Sequence, residues 1–258
     1  MTIQSTLLYS VAFALLAAGI YAYVGWRLSK RMIPSSESRV AWQFFTVWWY
    51  GLAATTLIIG LLNLLGALGV TDLALFVTAT YLNLQISCLA LLGLFYYLIY
   101  LFTGNSRWLI PLAILYTLYY ILLVYYVTAS DPVNVSLEPW RASLAYRTPL
   151  TGPFIAILVV LLFVSQVIGG LAYFTLYFQV PDVTQKYRIL LVSWSIIIWF
   201  ISPVATVLGG LGEQDWWQIA SRLLGLTAAL TILTAYLPPR WVKQRYGIVS
   251  IAEENPQA

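Results

Sequence analysis

The chain has 258 residues, 61% of them hydrophobic and only 9% charged. A soluble domain carries about a quarter charged residues, so a mean hydropathy of +0.84 excludes a soluble globule and points to the bilayer. With no histidine and a single cysteine, Cys88, the composition argues against zinc, haem or iron–sulfur ligation, an intramolecular disulfide and histidine-based catalysis. The net charge of +4 is then a topology signal, and no nucleic-acid partner is expected.

A membrane-spanning helix needs about 20 mostly apolar residues, and the charges divide this chain into long runs of that kind. The expected fold is all-α: an integral membrane seven-helix bundle over residues 1–240, then a short cytoplasmic tail, 241–258. The first span, 5–28, has no basic residue before it and a basic cluster after it, the pattern of an uncleaved anchor rather than a signal peptide. The second, 40–67, carries Asn63. The third, 73–102, carries Asn83, Gln85 and Ser87; Asn83 and Ser87, four apart, share a face, and Gln85 points elsewhere. Thr103–Arg107 makes a short turn into the fourth span, 108–129, which is rich in tyrosine: Tyr116, Tyr119, Tyr120, Tyr125 and Tyr126.

The segment from Ser130 to Thr151 is the longest link. It holds Asp131-Pro132, Glu138-Pro139-Trp140 and Thr148-Pro149, and is expected to be irregular and ordered by packing, either a lid over one mouth of the bundle or a plain connector. The fifth span, 152–179, contains Gln166 and the pair Gly169-Gly170, which should bend the helix or pack it closely. The sixth, 187–210, contains Ser193, Ser195 and Ser202-Pro203, where a kink is expected. The seventh, 216–237, alone contains a charge, Arg222.

Orientation follows from the 13 basic residues. With the N-terminus outside, Arg27, Lys30, Arg31, Arg39, Arg107, Lys186, Arg188, Arg240, Lys243 and Arg245 fall on the cytoplasmic side, against Arg141 and Arg147 outside. That is a strong positive-inside bias. The expected location is therefore a cell membrane, multi-pass, with a bacterial plasma membrane the natural setting.

Polar residues inside the membrane are costly and are the place to look for function. Arg222 has two readings: an anion-binding or gating charge facing the bundle, or a side chain snorkelling to the outer interface beside Gln218 and Asp215 or Glu213. Asn63, at similar depth, is a candidate partner for it. Asn83, Gln85 and Gln166 would line a polar pocket or serve as interhelical hydrogen-bond glue. Tyr116 and Tyr120 would line an apolar ligand pocket or simply pack. No lysine lies in any span, so retinal cannot be held as a Schiff base, and no cofactor is expected. No embedded acid pair or phosphate loop appears, so an enzyme is not expected.

Two stretches carry a resemblance. Arg39-Val40-Ala41-Trp42-Gln43-Phe44-Phe45 with Trp48-Trp49-Tyr50-Gly51, and Tyr81-Leu82-Asn83-Leu84-Gln85 running on to Tyr100-Leu101-Phe102-Thr103-Gly104, resemble the second and third helices of the seven-transmembrane N-terminal sensor region of bacterial histidine kinases. The likeness extends from about residue 7 to 237. It implies a receptor-like sensor that binds a small apolar or amphipathic ligand, such as a lipid. Such regions feed a cytoplasmic signalling domain, whereas here only Trp241–Ala258 follow the last span. The output is then expected to pass to a separate membrane or cytoplasmic protein partner. The alternatives are a non-catalytic accessory subunit of a larger membrane complex, and a small transporter or channel.

Overall fold

In the computed structural model, residues 2–30, 36–148, 165–212 and 215–250 are described. Five expectations lie wholly or partly outside them: residues 149–151 of the 130–151 link, residues 152–164 of the fifth span, Arg31, Glu213 and the tail from 251 onward.

Helix α1 (Ile3–Ser29) begins at Thr2, whose hydroxyl accepts from the Ser5 amide at 3.3 Å. Helix α2 (Ser36–Ala67) follows. Asp72 caps α3 (Leu73–Thr103) by accepting from the Leu75 amide at 3.0 Å, and Gly104, at φ +64°, ends it in the left-handed conformation a terminal glycine readily adopts. A short 3₁₀ turn, Ser106–Trp108, leads into α4 (Leu109–Ala129). Then come two strands, β1 (Pro132–Glu138) and β2 (Arg141–Tyr146), and the helices α5 (Ser165–Gln179), α6 (Val183–Gly212), α7 (Asp215–Tyr236) and α8 (Arg240–Tyr246).

The fold is thus mostly helical. Five helical stretches are long and apolar enough to cross a membrane: Ile3–Ser29, Ser38–Ala67, Leu73–Thr103, Ser106–Ala129 and Trp216–Tyr236. The chain is a multi-pass helical membrane protein. Helix α6 begins four residues earlier than the charge pattern suggests, because Asp182 caps it, accepting from the Gln185 amide at 2.7 Å. Lys186 therefore sits within the helix and not in a loop. The same helix continues through Pro203 to Gly212.

The expectation of an irregular 130–151 segment needs correction. Residues 132–146 form an antiparallel hairpin, Glu138 paired with Arg141 and Val135 with Leu144. The physical reason is a period of two: Val135 and Leu137 on one strand, with Ala142, Leu144 and Tyr146 on the other, pack onto Leu7 and Phe76 of the helices.

Helix α1 packs between α2 and α7; α3 packs on α2, α6 on α7, and α5 joins α3 to α6. These helices close a ring. Helix α4 touches α3 and stays outside it, burying chiefly Tyr116, Leu123 and Val127. Away from the hairpin, the ring is filled with aromatic rings. Phe45 stacks on Tyr97 with centroids 4.3 Å apart, and Trp48 and Trp49 lie 4.1 Å apart. Trp42 Nε1 ties this layer to the end of α1 by donating to the Leu28 carbonyl at 2.9 Å.

Small residues set the helix spacing. A Cβ on Gly93 would collide with the Phe44 carbonyl oxygen, and one on Gly51 with the Ala90 methyl, so α2 and α3 meet backbone to backbone. Gly170 has Ile196 and Ile197 at 3.4 and 3.2 Å from its Cβ position, which is the close packing expected of Gly169-Gly170.

Beyond α7 the chain turns back. Ile248 and Ser250 are buried. Arg188 Nη2 donates to the Val249 carbonyl at 2.8 Å, and the Val249 amide donates to Thr184 Oγ1 at 3.4 Å. Residues 248–250 of the expected short tail are thus docked on the first turns of α6.

Candidate ligand cavity beneath the hairpin

The hairpin turn is Glu138-Pro139-Trp140-Arg141. Proline at the first central position and a positive φ at the second is the combination a type II turn uses, and the second position normally takes glycine. Here it is Trp140, at φ +70°. Such a residue persists only where its surroundings hold it, and the helices do so on three sides. The Trp140 amide donates to Thr6 Oγ1 at 3.3 Å, its carbonyl accepts from Arg222 Nη2 at 2.8 Å, and its ring stacks on Tyr9 with centroids 6.3 Å apart.

Asn63 supplies a second anchor. Its Oδ1 accepts from the Ala142 amide at 2.8 Å, while its Nδ2 donates to Ser10 Oγ at 2.9 Å. A strand laid on apolar helices would otherwise leave that amide without water or partner. Gly66 makes room for the strands: a Cβ there would stand 2.8 Å from the Ala142 methyl and 2.9 Å from Leu137 Cδ2.

Beneath this cap lies a cavity of about 440 Å³ inside the ring. Phe13, Ala14 and Ala17 of α1 and Ile59 and Leu62 of α2 supply apolar wall. Trp199 and Ser202 of α6, and Ser221 and Gly225 of α7, face them. Tyr21 also lines it and reaches across to α7, donating to the Gly225 carbonyl at 3.5 Å. Ser202 joins α6 to α7 by donating to the Ser221 carbonyl at 2.8 Å. The polar lining includes Asn63, Asn83, Ser87, Arg141 and Arg222. The size and the apolar walls with few polar groups are those of a small-molecule site.

The structure therefore brings Arg222, Asn63 and Asn83 to one cavity. Arg222 and Asn63 do not pair with each other; each holds the hairpin by a different backbone group. Among the described residues the acceptor of Arg222 is the Trp140 carbonyl; Glu213 and the Asp215 side chain, named as its snorkelling partners, lie outside what is described. Asn83 lies one turn before Ser87, which donates to the Asn83 carbonyl at 2.8 Å, and both line the cavity.

The other candidates lie elsewhere. Gln85 is exposed on the far face of α3. Gln166 is buried on α5 and does not line the cavity. Tyr116 and Tyr120 belong to the α3–α4 cluster outside the ring. The residues that sequence reasoning missed are Trp140, Thr6, Ser10 and Arg141. Trp140 had a signal, a Pro-aromatic pair between two alternating apolar runs.

Among the described residues no group of histidine, cysteine or acidic side chains is placed to hold a metal ion. The sequence matches no family model and no curated protein, and the fold matches no solved structure.

Proposed function

We propose that this chain is a receptor-like membrane module of seven spans, its N-terminus and hairpin outside and its C-terminus in the cytoplasm. It binds a small amphipathic ligand in the cavity beneath the hairpin and acts through a separate partner. The single observation that carries this reading is the cavity itself, apolar along its walls and polar beside the hairpin. The positive-inside bias supports the orientation, and α5 and α6 supply the two further crossings.

The anchors suggest how occupancy is felt. Arg222 belongs to α7, Asn63 to α2 and Thr6 to α1, and all three hold the hairpin. A ligand that moves Arg222 moves α7, whose far end carries Tyr236. The Arg188 guanidinium lies 5.9 Å from the Tyr236 ring and holds the docked tail through Val249. The route from cavity to cytoplasmic face is therefore one helix long. A conduit is less well supported, because the aromatic layer of Trp48, Trp49, Phe45 and Tyr97 fills the ring between cavity and cytoplasmic face.

The test is native mass spectrometry of protein purified in mild detergent, wild type beside Gly225→Leu. A Cβ at Gly225 meets only Ser202 Oγ, at 3.6 Å, so a larger side chain there enters the cavity without breaking the helix pair. Wild type is expected to retain a bound small molecule that the variant lacks. Identical spectra for the two proteins contradict the proposal.

A further inference from the structure

The cavity is lined by two guanidinium side chains, Arg141 and Arg222, and by no carboxylate among its described lining residues. The nearby described acids are engaged elsewhere. Asp131 pairs with Arg147 at 3.1 Å, Asp72 caps α3, and Glu138 accepts from Ser136 Oγ at 3.4 Å. A guanidinium carries five N–H donors and is always charged. Arg222 uses one, on the Trp140 carbonyl, and its Nε is buried with no acceptor among the described residues. Arg141 makes no side-chain hydrogen bond among them. Arg222 is half-buried with its Nε shielded from water, and Arg141 stands exposed beside the hairpin. A charge drawn out of water is stable when paired with its opposite and hydrogen-bonded, and the described lining of this cavity supplies two charges of one sign and none of the other.

We infer that the cavity takes a single-chain amphiphile with an anionic head, a carboxylate or a phosphate. This rests on the cavity being a ligand site. The head lies beside the hairpin between Arg141 and Arg222, where planar, multi-donor guanidinium groups match the oxygens of either anion. The chain runs along Phe13, Ile59 and Trp199 towards Tyr21. The fit is of charge to the two arginines and of an apolar tail to the walls, so a neutral head on the same tail loses the first and keeps the second.

The test measures saturable binding of radiolabelled dodecanoate, dodecyl phosphate and dodecanol to the full chain in zwitterionic nanodiscs, with empty nanodiscs subtracted. At least one of the two anionic probes is expected to bind about tenfold or more tighter than dodecanol, a factor each 1.4 kcal/mol supplies. Which anion it is distinguishes a carboxylate from a phosphate ligand. In Arg141→Gln, whose side chain makes no hydrogen bond among the described residues, that preference is expected to fall by at least about half of its logarithm, since one of two like charges is gone. Arg222→Gln should do the same where it remains folded. Equal affinity for all three probes, or an anion preference undiminished in Arg141→Gln, overturns the head assignment and leaves the cavity reading standing. Saturable binding of none of them overturns both.

Discussion

Trp140 sits in a conformation that costs a non-glycine residue about 1–3 kcal/mol, and its ring is buried to 4% exposure. Replacing it with glycine relieves the first term and loses the second, for which large-to-small core changes cost about 3–5 kcal/mol. Trp140→Gly is therefore expected to lower the thermal midpoint in detergent; a rise would show that backbone strain dominates. Asn63→Ala strands the Ala142 amide, a loss of about 1–3 kcal/mol. It should speed hydrogen exchange across 140–144 by roughly tenfold or more, while the Phe45–Tyr97 layer keeps its protection. Arg222 and Asn63 were legible in the sequence as buried polar groups in need of partners. Their partners were not, because backbone groups of a hairpin carry no residue-specific signal. Gln85 and Gln166 had the same composition signal and face away from the cavity, since period alone does not say which face of a helix meets the ring.

At the scale of elements, the long helices were legible because charges bracket them and nothing inside breaks them. Their ends were less so. Asp182 reads as a loop charge and is a cap, which moves Lys186 into α6. The hairpin was missed because its prolines suggested irregularity and its alternation is only three residues deep on each strand. Glycine spacing yields a paired prediction. Gly93→Ala pushes α2 from α3 against the rigid Phe44 backbone and should cost about 1–3 kcal/mol, as overpacking does, lowering the thermal midpoint. Gly19, exposed on α1, has nothing within 4 Å of its Cβ position. Gly19→Ala should leave the midpoint unchanged or raise it slightly, by the helix propensity difference of about 0.5–1 kcal/mol. Equal losses in the two variants would argue against the close α2–α3 contact.

For the whole molecule, the closed ring, the peripheral α4 and the docking of residues 248–250 could not be read from any one segment, since each depends on contacts between residues far apart in sequence. Orientation is a property of the whole chain in its membrane, and the account of the cavity depends on it: the hairpin must face outward and the basic face inward, with three crossings between them. The most direct measurement places single cysteines at Asn134, exposed on β1, and at Gln244, exposed on α8. The native Cys88 is buried at 4% exposure and can remain. Intact cells are treated with a membrane-impermeant maleimide before and after lysis. The account predicts that Asn134→Cys labels in intact cells and Gln244→Cys only after lysis. Labelling of both positions from the same side, or the reverse pattern, would contradict it.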